Sequence, residues 1–360
     1  MKKTLVLIVF LLTIIFSVSA FLVGCDSNNN GQHTDHNNSD PKAIQVVAPD
    51  GAPLLSMTYL YSENFNPISS YNISYEKLQT ADQLTASLMQ QTPDFAIAPI
   101  NICAMMYNND SGYLFAGVSI WGIMHIVSSV ESATLESMKG EIIVAFTKAG
   151  TPGITLRSIL SQNNIEFDEV TTDTLDDGNL GDKVGILYLT DANLVAQTLT
   201  AGEIDGVEIK YALLPEPVAT KIATATNQKY TAKVNLQTLW EEKNGFSYPQ
   251  AGLIFHKRLL ESDRAFVDSF ISMVELSNSW AKANPTKAGD IAKSVLESSS
   301  ISSGSIVEAA VNAGRLPLDF QSAVESKSSV SSYLSIIFQS TPTLIGGKLP
   351  DDDFYYAKAS

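Results

Sequence analysis

Leu199-Thr200-Ala201-Gly202-Glu203-Ile204-Asp205-Gly206-Val207, followed a few residues later by Pro215-Glu216-Pro217-Val218, holds the pattern that decides the fold. Ahead of it, Asp191 precedes Ala192, Val195, Ala196 and Leu199 at helical spacing, and Gly202 supplies the closing residue that helices favour. Ile204-Asp205-Gly206-Val207 then reads as the start of a strand. Pro215-Glu216-Pro217 opens a helix carrying Val218, Ile222 and Ala223, with Pro217 at its first position and Glu216 at the N-cap. Helix, strand and helix in quick succession are the signature of a parallel α/β sheet.

The same alternation extends outward in both directions. Upstream, residues 44–48, 95–98, 113–118, 124–127, 142–146 and 184–189 read as strands, and downstream so do residues 251–255. Between them, Asp50-Gly51-Ala52-Pro53 opens a helix through Leu60, and residues 76–90 place Leu78, Ala81, Leu84 and Leu88 on one helical face. Asn101 is the expected N-cap of a helix after Pro99. Thr151, with Pro152 at the first helical position, is the expected cap of another. Residues 264–282 and 306–312 are helical, and the serine-rich residues 298–305 form a loop. No internal repeat is present.

One regularity carries function. At Gly51-Ala52-Pro53, Pro99-Ile100-Asn101, Gly150-Thr151-Pro152-Gly153 and Pro215-Glu216-Pro217 a strand runs directly into a helix start. Ligands of open α/β sheets bind outside the carboxyl ends of strands, where helix N-termini present unpaired N–H groups. The candidate ligand-binding residues are therefore Gly51, Ala52, Pro53, Asn101, Gly150, Thr151, Pro152, Gly153 and Glu216, although efficient βα loops alone would produce the same pattern. Trp121, beside Gly122, either stacks a flat ligand or belongs to the core; Tyr59, Tyr61 and Tyr248 are weaker candidates of the same kind.

The N-terminus carries a different message. Met1-Lys2-Lys3, the apolar residues 5–15 and Ser17-Val18-Ser19-Ala20 form a secretory signal, too short to span a membrane in the mature protein. Leu22-Val23-Gly24-Cys25 resembles the lipobox of bacterial lipoproteins, which implies cleavage after residue 24 and lipidation of Cys25. The rival expectation is cleavage after Ala20 with Cys25 free. Each buried methylene of an acyl chain contributes about 0.8 kcal/mol, and two or three chains anchor stably. Residues 26–42, polar and low in complexity, read as a flexible tether, with His33 and His36 lacking a rigid set of co-ligands for a metal.

Loss of residues 1–24 removes two lysines and no acid, so the formal charge moves from −15 to −17. Nucleic acid and anionic lipid surfaces are excluded as partners on that balance. Beyond Cys25 the only thiol is Cys103, read as a small packed hydrophobe, so no intramolecular disulfide is available. His125 and His256 are the only histidines outside the tether, too few for a histidine-based catalytic or metal site.

Several of these segments together resemble the substrate-binding proteins of ABC importers for taurine, alkanesulfonates, nitrate and the pyrimidine precursor of thiamine. The stretch from Leu199 through Pro215-Glu216-Pro217-Val218-Ala219-Thr220-Lys221 is similar to that family's return strand and its E-P helix start, whose glutamate faces the cleft. Lys139-Gly140-Glu141-Ile142 through Gly150-Thr151-Pro152-Gly153 resembles its strand and small-residue ligand loop. Asp94-Phe95-Ala96-Ile97-Ala98-Pro99-Ile100-Asn101 resembles the strand and turn that touch ligand from the first lobe.

The resemblance implies an α/β, two-lobed type II periplasmic-binding-protein fold with two interlobe crossovers. It places lobe one at residues 43–125 and 233–325, lobe two at 126–232, and residues 326–360 back on lobe one. It further implies a monomeric, lipid-anchored extracytoplasmic binder, with no catalytic residues, metal or cofactor, that hands a small organic solute to an ABC permease. An enzyme on the same fold, of menaquinone-precursor or thiamine-pyrimidine type, and a ligand-sensing ectodomain are the alternatives. The family's first loop often carries an aromatic residue near Pro49 or Asp50, and its absence here counts against a bare sulfonate or nitrate. An ionised Glu216 instead favours a ligand bearing an amine or aminopyrimidine group, or a zwitterion, oriented by Asn101 and Thr151.

Overall fold

Apolar runs bounded by turn residues build two six-stranded sheets in this computed structural model, which describes residues 42–61, 71–175 and 180–359. The expected signal segment, Cys25 and the expected tether with His33 and His36 lie outside the described residues. In chain order the strands are β1 (Lys42–Pro49), β2 (Tyr71–Leu78), β3 (Phe95–Pro99), β4 (Tyr113–Trp121), β5 (Met124–Ser128), β6 (Ile142–Phe146), β7 (Phe167–Val170), β8 (Val184–Leu189), β9 (Glu203–Ile204), β10 (Val207–Glu208), β11 (Tyr211–Pro215), β12 (Thr231–Asn235), β13 (Pro249–His256) and β14 (Gln321–Ser322).

The first sheet has the order β14-β4-β13-β3-β1-β2 and the second β12-β5-β11-β6-β8-β7. Each is parallel on one side, β3-β1-β2 and β11-β6-β8-β7, and antiparallel on the other, where β13 and β4 of the first sheet and β5 of the second run antiparallel to both of their neighbours. The two sheets make this an α/β fold with two lobes. The chain leaves the first sheet between Trp121 and Met124 and returns between Asn235 and Pro249, against expected lobe limits of 125 and 232. Gly122 lies in the first passage, where a Cβ would stand 2.5 Å from Cζ of Tyr248, so only glycine fits there.

Several local expectations shift. Residues 76–78 belong to β2, whose residues alternate between more and less exposed positions, and the helix there is Ala81–Met89. Its start is a capping box in which Thr80 accepts from the Gln83 N–H and the Gln83 side chain accepts from the Thr80 N–H. Ile204 to Val207 does not begin a sheet strand: Asp205 at φ 50° and Gly206 at φ 82° turn β9 back onto β10 in a small hairpin, and β11 follows. The Gly202 stop is real, at φ 84°.

The C-terminal helix Ala323–Ser340 packs on β4 and on the helix Ile100–Asn108 of the first lobe. It also reaches the second lobe, where the Tyr333 hydroxyl meets Thr155 Oγ1 at 3.0 Å. Tyr333, Tyr248 and Trp240, all fully buried, pack ring against ring, with Tyr248 stacked on Tyr333 and Trp240 edge-on to Tyr248, in a core that takes in residues of both lobes. No helix among the described residues is long and apolar enough to cross a membrane.

Candidate functional site

The carboxyl ends of the parallel strands of both sheets face one cavity of about 540 Å³. Residues after β1, β2 and β3 line it from the first lobe. Residues after β6, β8 and β11 line it from the second, and the starts of β5 and β13 add Met124, Gln250 and Ala251. Its volume is that of an organic small-molecule site. Among the described residues it is lined by no lysine, arginine, histidine or cysteine.

Three carboxylates stand in the wall, and each is held differently. Asp50 follows β1, where Gly51 at φ 103° turns the chain into the short helix Ala52–Leu55. It accepts from the Ser298 hydroxyl at 2.6 Å, from the N–H groups of Ser299 and Ser300 at 3.1 Å, and from the hydroxyls of Ser299 and Ser300. Burial raises its pKa, but these hydrogen bonds outweigh burial and leave the carboxyl below its ordinary value. Asp191 caps the helix Ala192–Ala201 by accepting from the N–H groups of Asn193 and Leu194 at 2.9 and 3.0 Å through Oδ1. Its Oδ2 accepts only from Thr190 Oγ1, at 3.2 Å, among the described residues.

Glu216 is the most enclosed of the three, at 1% exposure. Its Oε1 accepts from Arg315 Nε at 2.6 Å, and its Oε2 from the Thr220 N–H at 3.0 Å. Arg315 Nη2 also donates to Thr220 Oγ1 at 2.9 Å, so the guanidinium grips both the carboxylate and the turn that carries it. Arg315 follows the helix Gly304–Asn312, which packs against both Pro285–Ser294 and the helix Val218–Ala225 beyond Glu216. His125 is buried beside this pair. Burial drives its pKa down to about 4, with Glu216 raising it and Arg315 lowering it, so the ring is neutral near pH 7.

The expected site residues divide into two groups. Gly51, Ala52, Pro53, Pro152 and Glu216 line the cavity; Asn101, Trp121, Gly150, Thr151 and Gly153 are not in its lining. Trp121 is buried and donates from Nε1 to the Asp319 carbonyl at 3.0 Å. Tyr248 is fully buried, and Tyr61 packs on Tyr75.

Asn101 and Thr151 tie the lobes together. Asn101 Nδ2 donates to the Ala149 carbonyl at 3.1 Å across the lobes, and Thr151 Oγ1 donates to the Gln250 carbonyl at 3.2 Å in the opposite sense. Neither is an N-cap: Pro99 and Gly150 hold those positions, one or two residues earlier than expected. Likewise Pro217, not Glu216, is the N-cap of its helix, yet Glu216 still satisfies the Thr220 N–H from one residue further out.

The sequence reading missed two features of the wall, the serine cradle of Asp50 and Thr147, and one residue behind it, Arg315. Thr147, a β-branched residue at φ 51°, lines the cavity in a conformation such residues avoid. Its carbonyl accepts from the Gly150 N–H at 3.1 Å, and a Cβ on Gly153 would stand 2.7 Å from the Lys148 carbonyl oxygen. The glycines of this loop therefore permit a tight turn rather than a ligand contact.

No protein-family model matches the sequence, and no curated protein sequence does. Solved structures do match in shape. An ABC transporter protein from Parabacteroides distasonis superposes with a TM-score of 0.69 at 20% identity, over 88% of this chain and 100% of that one. The periplasmic aliphatic sulphonate binding protein SsuA from Escherichia coli superposes at 0.64 with 13% identity, over 89% and 94%. The fold is that of the periplasmic binding proteins. A third such structure, the ligand-binding component of an ABC-type import system from Staphylococcus aureus with zinc bound, gives 0.61 at 11% identity over 88% and 96%. In the periplasmic-binding fold of this chain, the cavity lies between the lobes where both sets of strand ends meet.

Proposed function

We propose that this chain is the extracytoplasmic solute-binding component of an ABC importer, held at the membrane by lipid on Cys25, and that it does no chemistry on its ligand. The observation that carries the reading is the interlobe cavity itself, walled by strand ends of both lobes and lined by neither imidazole nor thiol among the described residues. His125, His256 and Cys103 are all buried outside that lining, which favours a binder over an enzyme on this fold.

The ligand is a small organic solute that is neutral, cationic or zwitterionic, with an amine or aminopyrimidine group as the preferred chemistry. Three carboxylates and no basic side chain in the described wall oppose a bare oxyanion. Glu216 contributes to that lining, but its oxygens are held by the Arg315 guanidinium and the Thr220 N–H, whereas Asp191 Oδ2 accepts only a neutral hydroxyl, at 3.2 Å, among the described residues and is the less committed oxygen for a ligand N–H. Asn101 and Thr151 act from behind the wall, by fixing the loops that form it.

Native mass spectrometry of residues 41–360, a compact unit by contact, tests this. One small nitrogen-bearing solute should be released on denaturation. A co-purifying sulfonate, or no binding across a panel of amines and aminopyrimidines, would overturn the ligand reading.

A further inference from the structure

Gln250 stands where the ladder between β13 and β4 slips. Pro249 faces Trp121 and Ala251 faces Ile120, so two steps on β13 oppose one on β4 and Gln250 is the extra residue of a bulge. Bulges break strand alternation and re-aim one side chain, and they recur beside functional sites. Here the bulged residue lines the interlobe cavity while only 7% exposed. Its Oε1 is buried and has no hydrogen-bond partner among the described residues. Buried amide oxygens are almost always paired, because leaving one unpaired costs the fold its desolvation.

The neighbouring wall does not relieve that cost. Ala251, next in the chain, and Pro99, its partner on β3, carry no side-chain donor, and Pro99 has no N–H either. The backbone of the bulge is meanwhile held from the other lobe, by Thr151 Oγ1 donating to the Gln250 carbonyl.

We propose that Gln250 is a specificity-determining residue: on binding, its side-chain amide turns the unpaired Oε1 to the cavity, where it accepts a hydrogen bond from an N–H of the solute, and Thr151 is the positioning residue that holds the bulge at the cavity. The assignment rests on the solute-binding reading above. It states which atom meets the ligand's donor and why an analogue without that donor is rejected. A pocket that leaves a buried polar atom unpaired discriminates far better than one that merely fits a shape.

The test uses Gln250→Met, of similar length without the amide, and two probes: 4-amino-2-methylpyrimidine and 2,4-dimethylpyrimidine, in which a methyl replaces the amino group. By calorimetric titration the wild type should bind the amino compound at least about tenfold tighter, and the variant should discriminate by no more than about threefold. Thr151→Val should reduce the same ratio without touching the probe. Thermal melts of unliganded protein form the second arm: removing an unsatisfied amide should leave the Gln250→Met midpoint equal to or above wild type. Discrimination retained by Gln250→Met, or an unliganded midpoint several degrees lower, overturns the assignment. If the wild type binds neither probe, the ligand class proposed above fails, and the unliganded midpoint alone then decides whether Gln250 serves the cavity or the fold.

Discussion

Replacing Arg315 by methionine removes the basic partner of Glu216, whose side chain is 0% exposed against 31% for the arginine. What remains to the carboxylate is the Thr220 N–H. Breaking a buried pair by deleting one member costs about 3–5 kcal/mol, because the other charge stays desolvated. The partly exposed guanidinium lets water into the space it leaves, which places the loss near the lower figure, about 3 kcal/mol. That is roughly a 150-fold change in the folding equilibrium and, for a folded unit of this size, about 4–5 °C in midpoint.

Arg315→Lys keeps the charge but loses the fork that spans Glu216 and Thr220, so it should fall between the two. The double variant Glu216→Gln/Arg315→Met should return to within about 1 kcal/mol of wild type, since neither charge is then buried alone. Thermal and denaturant unfolding of wild type, Arg315→Met, Glu216→Gln and the double variant supply the cycle. A midpoint shift under about 1 °C for Arg315→Met, or a double variant whose loss equals the sum of its parts, would refute the argument that Arg315 holds a buried charge in place.

Two further outcomes follow from chemistry already described. His125 has its pKa lowered from 6.5 to about 4, so the unfolded chain binds the proton first, and stability present above pH 6.5 is lost as pH falls toward 4. The loss is on the order of 3 kcal/mol. A His125→Gln protein unfolded at stepped pH should lose much of that slope and keep the part due to His256, whose pKa is lowered too, by burial and by Arg258; an unchanged slope argues against it. Separately, Cys25→Ala should abolish palmitate labelling and release the protein from membranes, and a variant that stays bound and labelled removes the lipid anchor from the proposal.

What could be read from sequence were features set by neighbours along the chain. The Gly202 stop, strand β3 and the strand-to-helix turns depend on residues a few places apart, and they appear where expected within a residue or two. Residues 76–78 were misassigned because Leu78 fits both a helical face and the alternation of β2, and only pairing with β1 decides between them. The site was harder, since its partners are distant. Arg315 lies 99 positions from Glu216, and the serines that hold Asp50 lie about 250 away in what reads as a plain loop. Nothing in Tyr248-Pro249-Gln250-Ala251 announces a bulge, which exists only by register against β4.

Cys103 lies fully buried against the carbonyls of Ala98 and Gly252, and burial holds its thiol well above the ordinary range. The sequence has two cysteines, the other being Cys25. A protein begun after residue 25 is therefore inert toward maleimides as it stands. Cysteines introduced at exposed positions such as Asp82 in the first lobe and Glu203 in the second would be its only reactive thiols, with no native cysteine needing replacement. A donor and acceptor dye on that pair would turn any movement of the lobes into an optical signal, making the molecule a ready scaffold for a solute sensor.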